Sequence, residues 1–313
     1  LNSSYEGQVW YNSTEGVLKS LVNFDSWSST APMGSGRYAI AKGTLGTQTA
    51  ALAALGRKGG PSQNSTEEYN GTGWNTEGNA NTARYGLGGF GTTSAFVAAG
   101  GAPAQNTVEE YNGSSWTTVT SLPGTARTYL SGFGTESAGA AFGGGTGSPD
   151  TVVTTTNEYD GSSWTSGGAL NTGGSGCAAT GTQTAATTAT RTVLPFNTAS
   201  GAAEQYDGSS WTTITSVNTS RYSAVGFGTK DDMTICGGVP NSTATEKWNG
   251  SSWTTSPATL ATGRNRFGGA GATSGSGLAF AGNPPGVGTT EEFNNSTNVF
   301  TGDGFISGAD LPS

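Results

Sequence analysis

Short apolar runs alternate with polar and glycine-rich segments along the whole chain, and residues 83–116, ARYGLGGFGTTSAFVAAGGAPAQNTVEEYNGSSW, show the pattern well. Four short segments stand between turn-forming residues: RYGLGGF, SAFVAAG, TVEEY and SWTTV. β-Branched and aromatic runs bounded by Gly, Asn and Ser are typical of antiparallel strands. The pattern therefore predicts one small four-stranded sheet, whose strands we name A to D.

This unit recurs along the chain. Trp27, Trp74, Trp116, Trp164, Trp211 and Trp253 follow one another at intervals of 42 to 48 residues, and a degraded copy, EEFNNSTNVF, ends near residue 300. A sheet this small cannot bury its own faces, so neighbouring units must stack. We predict one repeat-built domain over residues 27–313. Residues 1–26 are predicted to form a hairpin, 8–12 with 17–22, that either closes the repeat ring or joins it to an upstream shaft.

Asn-Gly or Asp-Gly stands between strands C and D of five units, which is the strongest short hairpin signal. It predicts a type I′ turn in which both residues have positive φ. Two aromatic residues flank each turn, and we expect them to cover apolar surface between adjacent sheets. The pairs are Tyr69 and Trp74, Tyr111 and Trp116, Tyr159 and Trp164, Tyr206 and Trp211, and Trp248 and Trp253.

Strand C also carries repeated carboxylates, such as Glu67 and Glu109. Alternation along a strand places these two on the same face as the following tyrosine. We interpret them as structural acceptors for backbone or arginine groups rather than as acid/base pairs. The units start near Arg37, Arg84, Arg127, Ser175, Arg221 and Arg264. The five arginines fit either a structural role at the head of the inner strand, which we favour, or a lining of the channel mouth.

A Gly-Gly after strand B, an aromatic residue in strand C and a Trp in strand D together resemble the kelch motif over residues 24–300. This resemblance implies an all-β, six-bladed kelch-like β-propeller. The fourth unit has Thr190-Arg191 and the sixth Ala281-Gly282 in place of Gly-Gly, and the sixth lacks its final Trp, so we expect distortion in those blades. The segments EGQVWYNSTEGVLKSL and GTQTAA are similar to Gly/Thr-rich, kelch-like tail or virion-surface proteins of marine bacteriophages.

Composition narrows the function classes. The net charge is −8, and the 13 Lys and Arg residues are scattered, so we expect no nucleic-acid partner. No apolar run reaches the roughly 20 residues that span a bilayer, so no membrane insertion is expected. Cys177 and Cys236 lie in different units. A disulfide between them requires neighbouring strands, and we favour two buried, unpaired thiols. The chain lacks an initiator Met and a signal-peptide pattern, which suggests a processed or longer protein.

The chain contains no histidine. This removes the Ser-His-Asp arrangement and most zinc sites. Copper oxidases are known among kelch propellers, but they need His ligands. Glycosidases need two carboxylates, yet YDGSSW lacks the spacing of the sialidase Asp box, and its Asp and Gly are explained by the hairpin. We therefore expect no enzymatic activity, no cofactor and no metal.

The C–D turns are nearly constant, whereas the B–C loops differ from unit to unit. Variable loops on a rigid scaffold are the usual place for binding, and our candidate ligand-binding residues there are Asp150, Arg191, Leu194 and Phe196. We expect a non-enzymatic structural and adhesion module on a virion surface or outside the cell. Its partners would be other virion proteins and a host-surface glycan or protein, with homo-oligomerisation through an attached shaft.

The alternative is a secreted lectin or glycan-processing enzyme on the same scaffold. A carboxylate pair at one channel mouth would favour the enzyme, and exposed aromatic residues over shallow pockets would favour the lectin. Bare mouths rich in Gly and Thr would favour a purely structural role.

Overall fold

The computed structural model describes residues 9–15, 17–147, 151–195, 197–283 and 287–301. Every regular element in these ranges is a β-strand, and the strands form six small antiparallel sheets whose inner strands meet around one axis. This confirms the all-β, six-bladed propeller predicted from the repeats.

The strands follow the chain in order. The first six are β1 (Val9–Asn12), β2 (Val17–Thr30), β3 (Lys42–Leu45), β4 (Ala51–Arg57), β5 (Ser62–Tyr69) and β6 (Trp74–Glu77), of which β3 to β6 belong to blade 1. Blade 2 has β7 (Gly88–Gly91), β8 (Phe96–Ala99), β9 (Val108–Tyr111) and β10 (Trp116–Val119). Blade 3 has β11 (Ser131–Thr135), β12 (Ala138–Phe142), β15 (Thr156–Tyr159) and β16 (Trp164–Ser166), with β13 (Gly145–Thr146) and β14 (Thr151–Val152) in its B–C loop.

Blade 4 has β17 (Ala178–Thr182), β18 (Ala185–Val193), β19 (Thr198–Tyr206) and β20 (Trp211–Ile214). Blade 5 has β21 (Val225–Gly228), β22 (Met233–Cys236), β23 (Thr245–Trp248) and β24 (Trp253–Ser256). Blade 6 has β25 (Gly268–Thr273), β26 (Ser276–Phe280) and β27 (Thr290–Thr301). Its fourth strand is β2.

Strand β2 closes the ring. It pairs antiparallel with β27 without a break, from Lys19 opposite Thr301 to Thr30 opposite Thr290. Trp27 lies opposite Phe293 and so supplies the strand-D tryptophan that the sixth unit lacks. The domain boundary predicted at 26/27 falls inside this strand. The predicted hairpin is present, with β1 paired to the first four residues of β2.

The terminal strands also extend beyond blade 6. Strand β26 pairs with β27 only up to Asn294, whereas β2 continues to pair with β27 as far as Thr301. In the other blades a tight C–D turn occupies this position. Blade 6 instead continues into a ribbon of β1, β2 and β27 on the side of the propeller that carries the A–B and C–D turns.

The axial channel contains part of blade 1. Six residues lie between Ala39 and Gly46 at the A–B turn, whereas four lie between the corresponding residues of blade 2, Gly86 and Gly91. The two extra residues displace β3 inward, where it pairs in parallel with β7 and contacts the inner strands of all the other blades. Lys42 Nζ reaches across to the carbonyl of Gly176 in blade 4 at 3.0 Å. The inner strand of blade 1 thus plugs the channel.

One residue at the head of each inner strand joins a closed ring of six backbone N–H···O hydrogen bonds around the axis, with N···O distances of 2.5 to 3.1 Å. All six residues have φ between 51° and 64°. They are Ala39, Gly86, Tyr129, Gly176, Ser223 and Arg266. Left-handed backbone costs a non-glycine residue roughly 1–2 kcal/mol, so the ring holds Tyr129 and Arg266 in place against their local preference.

The predicted type I′ geometry of the C–D turns is wrong, although the hairpins themselves are confirmed. Tyr69 pairs with Trp74, which leaves a four-residue loop in which Gly71 has φ of +90° and Asn70 has no positive φ. The Asn70 Oδ1 atom instead accepts the backbone N–H groups of residues 72 and 73 at 3.0 and 2.9 Å. This turn therefore uses Asn or Asp for its side-chain oxygen, which accepts backbone N–H groups, and not for its tolerance of a left-handed backbone conformation.

Candidate binding face

The strand-C residue two positions before the aromatic residue is a structural carboxylate in every unit except the third, where Asn157 takes its place and accepts a hydrogen bond from Arg127. Glu109 is fully buried, pairs with Arg84 at 3.2 Å and accepts the backbone N–H groups of Asn81 and Thr82 in the incoming D–A connection. Equivalent pairs, each with buried side chains, are Arg37 with Glu67, Arg221 with Glu246, and Arg264 with Glu291. This confirms the interpretation of Glu67 and Glu109 as acceptors and of the arginines as structural.

Blade 4 builds the same pair from a different position. The residue equivalent to the head arginine is Gly174, one position before the Ser175 predicted as the unit start, because the carbonyl of Gly174 accepts the bond from blade 3 that Arg127 accepts from blade 2. Arg191, at the end of strand B, supplies the guanidinium and pairs with Glu204 at 2.6 Å. A Cβ at Gly174 would lie 2.5 Å from Arg191 Cδ. Arginine and glycine have thus exchanged places.

The second strand-C position joins neighbouring blades. The hydroxyl of Tyr159 donates to Glu110 of the preceding blade at 2.5 Å, and Tyr206 donates to Glu158 at the same distance. Where blade 6 has Phe293, which has no hydroxyl, the preceding blade has Lys247 instead of a carboxylate. Lys247 pairs there with Asp25 at 2.9 Å.

The strand-D tryptophans also join blades. Trp116 Nε1 donates to Thr66 Oγ1 of blade 1 at 3.0 Å, and Trp211 reaches Thr156 of blade 3 at 3.0 Å. Trp164 faces Val108 at the corresponding position, and its Nε1 donates to the carbonyl of Thr120 instead. The residues of the repeated EEYNGSSW motif therefore make contacts within and between blades. Its carboxylates are engaged in these structural contacts.

The candidate ligand residues have different fates. Arg191 is fully buried in its pair with Glu204, so the structure does not place it on the loop surface. Leu194 is 54% exposed at the tip of the B–C loop of blade 4. Phe196 and Asp150 lie outside the described residues.

A group of half-buried aromatic and cationic side chains surrounds the axis on the face of the B–C loops. The Arg57 guanidinium lies 4.7 Å from the centre of the Tyr85 ring, and Arg266 lies 5.5 Å from that of Tyr129. The two tyrosine rings meet edge to face at 6.2 Å. We name this continuous cluster the axial patch. It consists of Arg57, at the end of strand B in blade 1, and of Tyr85, Tyr129 and Arg266, at the heads of the inner strands of blades 2, 3 and 6.

Gly86 fixes the position of the axial patch. A Cβ on this residue would lie 3.0 Å from two ring carbons of Tyr129, so the Tyr129 ring lies directly against the Gly86 backbone. Burial raises the pKa of Tyr129, although Arg266 and Arg57 act against this effect. The phenol is therefore neutral at physiological pH and serves as a hydrogen-bonding aromatic surface.

Charge is distributed unequally between the two faces. Of the 13 Lys and Arg residues, the five head-position arginines, Arg191 and Lys42 are buried. Lys19, Lys230 and Lys247 form ion pairs at 2.6 to 2.9 Å. Within the part of the chain that the structure describes, the three cations that are neither buried nor paired with a carboxylate are Arg57, Lys58 and Arg266. All three lie on the B–C face.

Carboxylates are almost absent from this face. The B–C and D–A connections of the six units contain one Asp or Glu between them, Asp150. The turns of the opposite face contain Glu136, Asp160, Asp207, Asp231 and Asp232. An acidic protein therefore has one face on which positive charge is in excess.

Two other concavities differ in character. The opposite mouth of the channel is an open bowl of about 470 Å³ lined by glycines and threonines such as Thr135 and Thr182. A groove of about 690 Å³ lies between blades 5 and 6. Its Asp25 accepts hydrogen bonds from Lys247, Asn295 and Ser256, which outweigh burial and lower the pKa of Asp25. Lys247 and Asp25 thus neutralise one another, and Asp232 leaves the groove with one negative charge.

The fold and the contacts define a six-bladed β-propeller with a plugged axis and one cationic, tyrosine-bearing face. A comparison with models of known protein families gives no match, and a search of curated proteins finds no relative. Among the described residues, no cluster of side chains is suited to hold a metal ion, and no helix is long and apolar enough to cross a membrane. Cys177 and Cys236 are buried and unpaired, as predicted.

Sequence reasoning did not find the axial patch. Tyr85, Tyr129 and Arg266 lie at the heads of inner strands, where the sequence pattern drew attention only to the preceding arginine, and Arg57 ends strand B of blade 1. The signal that could have found Tyr129 and Arg266 is the position two residues after the head position of each unit, which is occupied by a small residue in the other four units.

Proposed function

We propose that this propeller is a non-enzymatic adhesion module on the outer surface of a bacteriophage particle, where its B–C face binds the host surface. The kelch-like motif and the segments similar to those of phage tail and surface proteins support this proposal. Other virion proteins are the partners on the opposite side. A lectin-type interaction is the form of binding that the described face favours, because its aromatic side chains lie over shallow depressions.

One observation carries the proposal. The charged side chains of the repeat motif form ion pairs and hydrogen bonds that hold the blades together. The B–C face, by contrast, has variable loops and carries aromatic and cationic side chains without carboxylate partners. Tyr and Arg are the residues that most often dominate binding energy. A scaffold that serves only as a spacer has no need of them around its axis.

The terminal ribbon supports the proposed orientation. Strands β2 and β27 leave the propeller on the side of the A–B and C–D turns, opposite the B–C face. An upstream shaft attached there would point the B–C loops away from the particle. The same arrangement would allow three copies to assemble through that shaft.

Enzymatic glycan processing is not part of the proposal. A glycosidase needs two carboxylates flanking the scissile bond, and the connections of the B–C face contain only Asp150.

The experiment measures binding of the purified chain to intact candidate host cells, beside a variant whose residues 194–197 are replaced by Gly-Ser-Asn-Gly. The replacement starts at Leu194 because Arg191 is needed for the fold. Thr135→Ala, on the opposite mouth, is the matched control. Saturable binding that is weakened by the loop replacement and unchanged by Thr135→Ala supports the proposal. Binding to none of the cells, or equal binding by the loop variant, contradicts it.

A further inference from the structure

We propose that the axial patch recognises carboxylate-bearing sugar residues of an acidic surface polysaccharide. The inference rests on the proposed function for its biological setting, and it adds a ligand class and a site that the B–C loops alone do not define.

The charge balance points to an anion. Arg57, Lys58 and Arg266 have no carboxylate partner among the described residues, and the connections around them contribute only Asp150. The side chains of Arg57 and Lys58 bond to Gly60 O and Ser35 Oγ, which are neutral acceptors. Arg266 has a buried Nε without a hydrogen-bond partner. An unpaired guanidinium forms its strongest hydrogen bonds with a carboxylate.

The arginines are also oriented by their neighbours. Each guanidinium lies over a tyrosine ring, at 4.7 Å for Arg57 and 5.5 Å for Arg266. Stacking of this kind holds the planar group in place and leaves its edge available for hydrogen bonds. Tyr85 and Tyr129 contribute partly exposed ring faces between the two cations, and such faces suit the C–H surface of a sugar ring.

The shape of the site favours a saccharide over an acidic peptide. The depression beside Tyr129, Tyr222 and Asn197 has a volume of about 20 Å³, and the one beneath it about 10 Å³. A buried side-chain anchor is the usual centre of a protein–protein contact, and neither depression can take one. The rim offers hydroxyl and amide groups at Tyr222 and Asn197 for sugar hydroxyls, with Tyr222 already donating to Asn197 at 3.3 Å.

The test uses the full chain and five immobilised probes: polygalacturonate, alginate, neutral dextran, neutral galactan and poly-glutamate. We expect binding to at least one of the two uronate polymers and little to the neutral ones. This binding should weaken between about 50 mM and 500 mM salt because the charges are exposed. The double variant Arg57→Gln/Arg266→Gln should lose roughly 10- to 100-fold in affinity. The conservative double variant Arg57→Lys/Arg266→Lys should retain part of it.

Lys230→Gln, which removes a cation of the opposite face, is the matched control and should bind like the wild type. Thermal melts of each variant show whether the fold is kept, and both arginine side chains are only half-buried. Equal binding to dextran, an undiminished affinity of the glutamine double variant, or absence of uronate binding would overturn the inference. Preferential binding to poly-glutamate would overturn it in favour of an acidic protein partner.

Failure of this inference differs from failure of the proposed function. Cell binding that is lost on replacing residues 194–197 but unaffected by Arg57→Gln/Arg266→Gln overturns only the ligand assignment. Uronate binding through the arginines without any cell binding leaves the site in place and contradicts the adhesion role.

Discussion

The exchange of arginine and glycine in blade 4 predicts a specific rescue. Replacing Arg191 with Gly leaves the Glu204 carboxylate, 1% exposed, without its cation. Breaking a buried pair by removing one partner costs roughly 3–5 kcal/mol. Glu204 keeps two backbone N–H donors, from Asn171 at 2.7 Å and Thr172 at 3.2 Å, so we expect a loss of about 3 kcal/mol. Replacing Gly174 with Arg alone should also destabilise, because its Cβ would lie within 2.8 Å of three Arg191 side-chain atoms.

The double variant Gly174→Arg/Arg191→Gly recreates the arrangement of the other blades. It should lie within about 1–2 kcal/mol of the wild type, since the new glycine costs about 1 kcal/mol of chain entropy. The coupling energy from the double-mutant cycle should therefore exceed about 2 kcal/mol. Thermal melts can follow it, because 3 kcal/mol corresponds to about 5 °C for a chain of this length. A double variant as unstable as the sum of the single variants would refute the exchange.

Three further predictions concern stability. Trp116→Ala should cost roughly 3–5 kcal/mol because the indole is 7% exposed and bonded to the preceding blade, whereas Trp164→Ala should cost less; equal melting temperatures for the wild type and Trp116→Ala would contradict this. Four hydrogen bonds lower the pKa of Asp160 and of Asp207 below the ordinary 3.8, so their stabilisation is present above pH 3.8 and lost as the pH falls. The double Asn variant should show a shallower acid transition, and an unchanged transition would speak against this role. Burial lowers the pKa of Lys42 from 10.5 to about 7, so between these values the unfolded chain binds a proton that the folded chain has released, and stability rises with pH. Lys42→Met should remove this rise in melts from pH 7 to 10, and an identical pH profile would refute it.

The repeat motif made the blades predictable because every unit uses the same local contacts. The period, the strand pattern and the C–D hairpins were sufficient for a six-bladed ring, and the structural interpretation of Glu67 and Glu109 is confirmed. These features depend on residues within one repeat unit, so the sequence pattern of that unit is enough to predict them.

Other features depend on contacts between distant residues. Arg191 resembles a loop residue in sequence, and only its 2.6 Å contact with Glu204 shows that it replaces a head arginine. Trp27 is the first of the repeated tryptophans in sequence, but it completes the last blade through pairing with Phe293. The plug in the channel follows from two extra residues between Ala39 and Gly46. Because the length of the repeats varies, an insertion of two residues is not apparent from the sequence.

Hydrogen exchange measured by mass spectrometry, with and without saturating polygalacturonate or alginate, tests the central claim most directly. The account predicts protection in peptides that contain residues 57–60, 84–86, 127–130 and 264–266, with no change in peptides of the C–D turns. Protection confined to the C–D turns or to the groove between blades 5 and 6 would contradict a binding role for the B–C face.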